Sequence, residues 1–299
     1  MPEVSAVVVT YNGLPHVVQA LESVSGLETV VVDHGSTDRT VERVRAGFPA
    51  AKVVEQENLG LAAGWNRGIR ETAAPYVLVL NSDAWVVGDA VDRLARFADG
   101  IPRAAWVAPR LLNPDGTLQP SVRGFPTTWR IATEYLFLRK LAPRSRLLNS
   151  FYGAGFRHDE VREVEFAKAA AFLIRREAFA EVGPFDEDFF LFSEETDWSY
   201  RARAAGWRTL FYPEAEAVHV GGASWRRESG TLFREQVRGH LRFLLKHRGV
   251  SAAEHARRVI LAGLRLRSVV FRGERGAVYR DAADWVAAGP ATTLLESTR

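Results

Sequence analysis

The chain carries three acidic residues at the start of a predicted helix, where a carboxylate can take part in proton transfer. Glu194, Glu195 and Asp197 follow the aromatic and apolar segment Phe189–Phe192. Ser193 is a suitable N-cap and first-turn acids suit the helix dipole, so capping alone explains the pattern. The apolar lead-in favours a second interpretation, in which a walled cleft desolvates one carboxylate enough for it to act as a general base. Both interpretations stay open at this point.

A second polar cluster, Asn81-Ser82-Asp83, directly follows an apolar strand. Mg²⁺ prefers oxygen ligands and usually keeps only one or two carboxylates, with substrate phosphate among the rest, so Asp83 can supply one such bond. His219 lies just past another predicted strand. A lone histidine is more often a structural hydrogen-bonding residue, and His219 becomes a metal-ligand candidate only if it meets Asp83 in space. A polar turn at a strand end explains the first cluster equally well.

A third polar segment, Asp33–Asp38, also leaves a buried strand. A carboxylate such as Asp33 can accept the N3–H of a pyrimidine ring, and a plain capping turn accounts for the segment equally well. The glycines Gly64 and Gly68 continue a spacing of four that gives a helix a flat face, which close packing alone explains. Neither GxGxxG at a strand-to-helix turn nor GxxxxGK[ST] is present, so a dinucleotide fold is not predicted.

The elements that must position these residues read as βαβ units. Strands are predicted at Val4–Thr10, Thr29–Asp33, Lys52–Gln56 and Tyr76–Leu80, with helices between them. Such alternation predicts a parallel sheet, in which ligands bind beyond the carboxyl ends of the strands. The three polar clusters fall at such ends. Farther along, further strands are predicted over 165–175, 208–212 and 217–220, with a helix from about Glu194 to Ala205.

Composition excludes several classes of site. The 299 residues include no cysteine, so disulfides and thiolate metal sites are absent. The net charge of +3 is unevenly distributed, because Thr231 to the end holds 13 Lys and Arg against 6 Asp and Glu. Arg234, Arg238 and Arg242 share one face of a predicted amphipathic helix. This face predicts either contact with an anionic membrane surface or a helical cap with a solvated basic side.

The start of the chain has no basic region before its first apolar run, and no apolar stretch reaches the roughly 18 residues that span a bilayer. We therefore expect a cytoplasmic protein, either soluble or peripherally bound at the inner face of the cytoplasmic membrane. No nucleic-acid-binding motif accompanies the basic tail, so we expect no nucleic acid partner.

Six segments in order resemble the family 2 inverting glycosyltransferases of the GT-A fold, especially the bacterial rhamnosyltransferase-like branch. They read VVVTYNG, VVVDHGSTDRT, ENLGLAAGWNRGI, LVLNSDAWV, FFLFSEETDWSYRARAAGW and YPEAEAVHVGGAS. The order carries the resemblance, since no single motif is specific. It implies a Rossmann-like, mostly parallel central sheet flanked by helices over residues 1–225, and a C-terminal helical module over 226–299.

The resemblance also implies roles for single positions. Its nucleotide-binding residues are Thr10, Tyr11 and Asn12 around the base, Asp33 on a uracil or thymine ring, and Gly64, Asn66 and Ser82 near the nucleotide and sugar. Asp83 stands at the last position of the family's DXD metal motif, and His219 matches a histidine that can complete the metal shell. Glu195 stands at the base position within an acidic group that also includes Glu194 and Asp197.

Two departures from the family pattern affect these roles. The metal motif reads Asn-Ser-Asp, so one carboxylate is missing, and the base position holds Glu instead of Asp. The longer side chain lets Glu194 compete with Glu195 for the role of base.

The implied activity is inverting transfer of a sugar from a nucleotide diphosphate donor to an acceptor hydroxyl, assisted by Mg²⁺ or Mn²⁺. Candidate donors are dTDP-rhamnose and UDP-hexoses, and the expected acceptor is a lipid-linked or glycan hydroxyl. A nucleotidyltransferase is one rival, although Tyr11-Asn12-Gly13-Leu14 is not its glycine-rich, lysine-containing phosphate loop. A non-catalytic nucleotide-sugar-binding module is the other, which loss of the acidic residues would favour.

Overall fold

The first half of the central sheet is built from buried β-branched runs. The computed structural model describes residues 2–221 and 229–296. Its first four strands are β1 (Val4–Thr10), β2 (Glu28–Asp33), β3 (Lys52–Glu55) and β4 (Tyr76–Asn81). They pair in parallel, as predicted, and their order in the sheet is β3-β2-β1-β4. Every residue of β1 is buried, because helices cover both faces of this part of the sheet.

Short helices connect these strands and confirm the βαβ pattern. They are α1 (His16–Ser23), α2 (Thr40–Gly47) and α3 (Leu61–Arg70). The carboxyl ends of β2, β1 and β4 therefore lie side by side, since β1 is the middle strand of the three. This edge carries the polar segments that follow each strand.

The second half of the sheet combines parallel and antiparallel strands. The elements of this part of the chain are β5 (Ala84–Val86), α4 (Ala90–Asp99), β6 (Ala104–Leu112), β7 (Val122–Arg123), β8 (Arg162–Val164), β9 (Phe166–Ala167), β10 (Ala171–Arg175), α7 (Arg176–Val182), α8 (Glu194–Ala204) and β11 (Arg208–His219). Strands β7 and β9 pair with each other in a separate two-stranded sheet. Within the described residues the sheet has nine strands, ordered β3-β2-β1-β4-β10-β6-β11-β5 with β8 beside β11.

Strand β10 is antiparallel to both β4 and β6, whereas β6 and β11 are parallel. Residue Ala171 at its start faces Leu80 near the end of β4, so the chain enters β10 at the carboxyl edge and must run in the opposite direction. The strand predicted over 165–175 is in fact the two strands β9 and β10. The two strands predicted over 208–220 are one strand, β11, with a register shift between Tyr212 and Glu216.

Aromatic side chains form the core on one face of the sheet. Trp106 stacks on Phe172 with ring centroids 3.7 Å apart, and Trp65 meets Phe172 edge-on at 5.3 Å. Phe185 and Trp198 complete this cluster, and all five side chains are almost fully buried. Rings of this size bury large apolar areas, so they fix α3 and α8 against strands β6 and β10.

The chain divides into two compact units. The first comprises residues up to Val122, Arg157–Phe190 and Asp197–Gly221, and the second comprises Arg123–Phe156, Leu191–Thr196 and the C-terminal helices. The division predicted from the sequence, at residues 225 and 226, lies outside the described residues.

The second unit is helical, which confirms the predicted C-terminal helical extension. Its elements are α5 (Thr128–Tyr135), α6 (Leu138–Leu141), a 3₁₀ turn (Ser150–Tyr152), α9 (Ser229–Val270), α10 (Gly273–Ala287) and α11 (Ala291–Glu296). Two helical segments meet within α9 at Gly249, whose φ of 82° interrupts the helix. Over the part of the chain that the structure describes, none of the helices is long and apolar enough to cross a bilayer.

Candidate active site

The loops that follow β1 and β2 are held together by one side chain. The Asn12 Oδ1 atom accepts hydrogen bonds from the backbone N–H groups of Thr37 at 2.8 Å and Asp38 at 3.2 Å. The Asn12 N–H in turn donates to Ser36 Oγ at 2.8 Å. Asn12 has a φ of 50°, a left-handed conformation that asparagine tolerates better than most residues. Asn12 therefore fixes the shape of the predicted base pocket.

Asp33 accepts three hydrogen bonds from the loop that it begins. Its Oδ1 atom accepts the backbone N–H groups of Gly35 at 3.0 Å and Ser36 at 2.8 Å, and its Oδ2 atom accepts the Ser36 hydroxyl at 2.6 Å. The residue is only 1% exposed. The structure thus contains the capping turn that the sequence offered as one explanation. A pyrimidine N3–H would have to use the remaining acceptor capacity of Oδ2.

Three other predicted nucleotide residues lie around the end of β1. The ring of Tyr11 is half-exposed, so one face is free to meet a planar ligand. Ser82 donates its backbone N–H to Val9 O at 3.1 Å, which holds the end of β4 against the end of β1. Gly13 packs between Thr10 Oγ1 and Ser82, where a Cβ would collide with the threonine hydroxyl. Among the described residues, the buried Thr10 Oγ1 has no hydrogen-bond partner.

The two predicted residues on α3 have packing roles in the structure. A Cβ on Gly64 would overlap His34 Nε2 and lie 2.8 Å from Val9 Cγ1, so this glycine lets the helix approach the sheet. Asn66 is fully buried. Its amide group accepts the Phe185 N–H at 2.9 Å and donates to Phe185 O at 2.8 Å. The contacts of Gly64 and Asn66 are thus with protein groups, which is the close packing that the glycine spacing alone explained.

The metal-side residues Asp83 and His219 do meet. Strands β5 and β11 are antiparallel with His219 opposite Ala84, and Val220 donates its N–H to Asp83 O at 3.0 Å. This pairing places His219 Nε2 at 3.4 Å from Asp83 Oδ1. Burial alone would raise the pKa of Asp83, but the hydrogen bond and charge of His219 lower it overall. Asp83 is therefore ionised across the physiological pH range.

The chemistry of this pair fits a divalent cation. His219 Nδ1 lies 2.7 Å from Gln119 Oε1, an acceptor, which leaves the lone pair of a neutral imidazole on Nε2. That lone pair then faces the carboxylate of Asp83, so two electron-rich atoms confront each other unless a proton or a cation lies between them. Over residues 2–221 and 229–296, no group of three His, Asp or Glu side chains could by itself hold a metal ion. The pair therefore offers two ligands, and the remaining ones must come from substrate or water.

The acidic residues at the start of α8 lie on a strained turn. Phe192 and Ser193 have φ values of 69° and 74°, which side-chain-bearing residues adopt at a cost of about 1–3 kcal/mol each. A Cβ on Gly239 of α9 would lie 2.7 Å from Phe192 O and 2.8 Å from Ser193 Oγ. The glycine thus allows α9 to pass directly against the turn and support it. Left-handed backbone also distinguishes Ser193 from the extended conformation of a usual capping serine.

Glu195 has the properties of a general base. It is half-buried, and its Oε2 atom has no hydrogen-bond partner among the described residues. Burial raises the pKa of Glu195 to about 7, against backbone hydrogen bonds from Glu195 itself, Thr196 and Ser193 and the positive charge of Arg123. A pKa near neutrality suits a group that must accept a proton at physiological pH.

The neighbouring acids differ from Glu195 in accessibility. Glu194 is 2% exposed, and burial followed by the charge of Glu195 raises its pKa well above the ordinary value. Asp197 is fully buried and pairs with Arg201 Nε at 2.8 Å. Asp197 thus anchors α8 internally in this structure, and the catalytic role that the resemblance implies for it stays a prediction.

Three residues of the site were not predicted from the sequence, and each of them is a partner of a residue that was. Gln119 contacts His219, Ser36 contacts Asp33, and Arg123 acts electrostatically on Glu195. Gln119 and Arg123 come from the proline-containing stretch after β6, whose irregular pattern gives no indication of which strand ends it approaches. Thr10, Asn12, Asp33, Ser82, Asp83 and His219 belong to the first compact unit, whereas Glu194 and Glu195 belong to the second.

Comparison with known proteins gives consistent matches. A family model described as glycosyl transferase family 2 matches residues 5–183. The N-acetylglucosaminyl-diphospho-decaprenol L-rhamnosyltransferase of Mycobacterium tuberculosis is 29% identical over 239 residues, covering 74% of this chain and 77% of that relative. The low-salt glycan biosynthesis hexosyltransferase Agl10 of Haloferax volcanii is 23% identical over 207 residues, 68% of this chain and 62% of the relative.

Two solved structures share the fold. The structure of GalNAc-T7 with UDP, GalNAc and Mn²⁺ superposes with a TM-score of 0.60 at 17% identity, over 100% of this chain but only 56% of that longer one. The mannosyltransferase PcManGT of Pyrobaculum calidifontis, in complex with GDP-mannose and Mn²⁺, gives a TM-score of 0.54 at 17% identity over 99% and 84% of the two chains. At these identities the likeness shows a common GT-A architecture.

Proposed function

Because this chain belongs to glycosyl transferase family 2 and is therefore a nucleotide-sugar glycosyltransferase, we propose that it inverts the anomeric centre of its donor, with Glu195 as base. The observation that carries the proposal is the state of this carboxylate. It is half-buried, one of its oxygens lacks a partner among the described residues, and its pKa is about 7.

In the proposed reaction the acceptor hydroxyl attacks the anomeric carbon from the face opposite the diphosphate. The new C–O bond forms as the bond between the anomeric carbon and the phosphate oxygen breaks, and the hydroxyl proton passes to Glu195. The nucleoside diphosphate leaves with the bonding electron pair. Base assistance of this kind is typically worth about 10² to 10⁴ in rate. A single displacement without a covalent enzyme intermediate inverts the configuration.

The donor is proposed to bind at the edge formed by β2, β1 and β4. The half-exposed ring of Tyr11 is available to stack on the base, and Asn12 holds the surrounding loops. Thr10 contributes a buried hydroxyl without a partner among the described residues, which a ligand group can satisfy. Asp33 is assigned to the pyrimidine N3–H through Oδ2, which agrees with a thymidine or uridine donor.

Asp83 and His219 would hold a divalent metal, Mg²⁺ or Mn²⁺, together with the donor diphosphate. When bound, such an ion neutralises the charge that develops on the leaving phosphate. The Asp83 carboxylate and the Nε2 atom of His219 face each other at 3.4 Å, so both side chains can contribute to one cation. Only two protein ligands are offered, so donor and metal are expected to bind cooperatively.

The relative from M. tuberculosis supports rhamnose as the sugar and a lipid-linked diphosphate sugar as the acceptor. The assignment of donor and acceptor can be tested with a panel of donors, namely dTDP-rhamnose, UDP-glucose, UDP-galactose and GDP-mannose. Each donor is supplied with a polyprenyl diphosphate N-acetylglucosamine acceptor and Mn²⁺. Transfer from dTDP-rhamnose with inversion, read by NMR of the product anomeric proton, is the expected result. Retention of configuration would exclude the single-displacement mechanism, and transfer from another donor only would replace the sugar assignment.

Membrane contact is proposed, but at a surface other than the basic face of the C-terminal module, where it was expected. Arg234 pairs with Asp281, Arg238 with Glu235, and Arg242 donates to Leu295 O at 3.1 Å. Arg234 and Arg242 thereby connect α9 to α10 and α11, whereas the Arg238 ion pair lies within α9. The helical cap that the sequence offered as an alternative therefore describes this basic face better than lipid contact does.

The second unit exposes another surface with suitable chemistry. Leu141, Val269 and Val270 have exposed fractions of 78%, 79% and 57%. Their segments are joined by the Phe137 and Phe271 rings, 6.1 Å apart. Exposed cations stand near these residues in the sequence, namely Lys140, Arg144, Arg146, Arg272 and Arg275, with one exposed acid, Glu274, among them. Exposed apolar side chains in a largely basic sequence context suit the interface of an anionic bilayer, so we assign this surface to the inner face of the cytoplasmic membrane, where a lipid-linked acceptor would lie.

A further inference from the structure

We infer that Gln119 is a positioning residue that fixes the tautomer of His219 and aims its Nε2 atom at Asp83. The inference deepens the metal assignment made in the proposed function, and rests on it for its catalytic meaning. The hydrogen bonds on which the inference rests all lie within the first compact unit.

The loop after β6 is built to bring Gln119 to His219. Asn113 donates its N–H to Thr117 O at 2.8 Å and closes a tight turn. Gln119 then donates its N–H to Leu111 O at 2.8 Å, so the chain returns to the end of β6. Because β11 lies beside β6 with Val218 opposite Leu112, the next residue of β11 is His219. Gln119 is thereby attached to the strand end that adjoins His219.

The orientation of the Gln119 amide is determined by its partners. Its Nε2 group donates to His219 O at 3.0 Å and to Asn113 Oδ1 at 2.9 Å. A carbonyl oxygen can only accept, so the amide nitrogen must face His219 O. The Asn113 amide is oriented in the same way, because its Nδ2 group donates to Leu118 O at 3.5 Å and Thr117 Oγ1 at 2.9 Å. His219 O and Leu118 O are carbonyl oxygens that can only accept, so they fix the orientations of the Gln119 and Asn113 amide groups.

The remaining atom, Gln119 Oε1, lies 2.7 Å from His219 Nδ1. An amide oxygen has no proton to give, so Nδ1 must carry one. In the neutral ring Nε2 then has a free lone pair, and this lone pair points to the 3.4 Å gap before Asp83 Oδ1. Gly221 completes the arrangement, since its φ of 60° lets the backbone pass close to the ring, where a Cβ would lie 3.3 Å from His219 Cε1. Gln119 thus plays the part that outer partners play for metal-binding histidines.

The tautomer can be read without metal or substrate. Full-length protein with ¹⁵N-labelled histidine is stripped of metal with EDTA and examined by long-range ¹H–¹⁵N correlation at about pH 8.5, where an ordinary imidazole is neutral. The His219 signals are assigned with a His219→Gln variant. We expect the proton on Nδ1 in the wild type and a mixture of tautomers in Gln119→Leu, which has a similar volume but no acceptor. A wild-type ring with a proton on Nε2 and none on Nδ1, or an unchanged pattern of ring protonation in Gln119→Leu, would overturn the inference.

Mn²⁺ titration followed by EPR, with UDP present, gives the second readout. Gln119→Leu should weaken Mn²⁺ binding by about 10- to 100-fold, the usual effect of losing such a partner. Pro114→Ala is the matched control, since it changes an exposed side chain of the same turn that cannot hydrogen-bond to Asn113, Gln119 or His219, and its Mn²⁺ affinity should stay at the wild-type value. Asn113→Ala removes one acceptor of the Gln119 amide and should give an intermediate loss, which keeps the test decisive if Gln119→Leu fails to fold.

The two readouts separate this inference from the proposed function. A wild-type protein that holds the Nδ1 proton but does not bind Mn²⁺ would refute the metal assignment and leave the role of Gln119 intact. Wild-type Mn²⁺ binding that is unaffected by both Gln119→Leu and Asn113→Ala would refute the role of Gln119 and leave the metal assignment intact.

Discussion

His219 Nε2 lies 3.4 Å from Asp83 Oδ1 across the antiparallel pair of β5 and β11. The two residues are separated by more than 130 positions in the sequence, and the sheet brings them together because β5 runs back along the end of β11. Ser82, directly before Asp83, is attached to Val9 at the end of β1. The metal-side pair and the predicted base pocket are thus parts of one continuous sheet edge.

The first prediction concerns removal of the carboxylate from this pair. Asp83→Asn keeps the shape of the side chain but removes its charge, so Mn²⁺ should bind at least about tenfold more weakly with UDP present. Isothermal titration of Mn²⁺ into the UDP complex measures the change. Asp115→Asn removes the same charge from the exposed loop before Gln119 and should leave the affinity unaltered. Equal Mn²⁺ affinity in Asp83→Asn and the wild type would contradict the assignment.

The second prediction is a pH dependence set by Glu195. The carboxylate accepts a proton only when ionised, and its pKa is about 7, so kcat/KM should rise with pH through about pH 7 and level off above it. The steady-state rate is measured between about pH 5.5 and 8.5 at saturating Mn²⁺. A rate that is flat over this interval, or that falls as pH rises, would exclude Glu195 as the ionised base.

The third prediction distinguishes the role of Glu195 from that of Asp197 by the free energies of unfolding of two variants. The folded protein keeps a proton on Glu195 up to about pH 7, whereas the unfolded chain releases it near the ordinary value of 4.5. The folded state therefore binds more protons between these values, and the free energy of unfolding falls as pH rises through them. Glu195→Gln has no titrating group at this position, so its free energy of unfolding does not fall in this way. At pH 8 this free energy should exceed that of the wild type by about 1–3 kcal/mol.

Asp197→Asn should behave in the opposite way, because it leaves Arg201 without its buried partner. The expected cost is about 3 kcal/mol at pH 8. Urea unfolding of both variants at pH 5 and pH 8 provides the comparison. Two variants with the same sign of effect at pH 8 would show that the acids do not have the separate roles assigned to them.

The fourth prediction tests the membrane surface. Leu141→Asp combined with Val269→Asp places charge on the exposed apolar side chains and should abolish flotation with phosphatidylglycerol–phosphatidylcholine vesicles. Val161→Asp is the control, since Val161 is also exposed, at 48%, but belongs to the first compact unit. Neutral phosphatidylcholine vesicles should bind the wild type weakly, because they offer no anionic headgroups to the basic side chains of this surface. Undiminished flotation of the double variant would remove this surface from the account.

Periodic segments made the first half of the fold predictable. The strands Val4–Thr10 and Tyr76–Asn81 are uninterrupted apolar runs that end in polar turns, and these runs specify both the strands and the edge where ligands bind. The second half was harder, because its strand order depends on long returns of the chain. Nothing local in Ala171–Arg175 shows that it runs antiparallel between β4 and β6.

The site was predictable to the extent that each residue type suits one chemistry. Asp83 and His219 were proposed as a pair conditional on contact, and the structure supplies that contact. Asn66 shows the limit of this reasoning, because a buried amide that binds Phe185 looks the same in sequence as one that binds a ligand. Gln119 could not be found from the sequence, since its role comes entirely from two strand ends that meet in space.

The central claim is most directly tested by transfer with Glu195→Gln, measured beside donor binding in the same preparation. With the donor and acceptor that the transfer assay identifies, kcat should fall by at least about 100-fold while the dissociation constant for the donor is unchanged. Near-normal turnover by Glu195→Gln would contradict the account, because a neutral amide cannot take the proton from the acceptor hydroxyl.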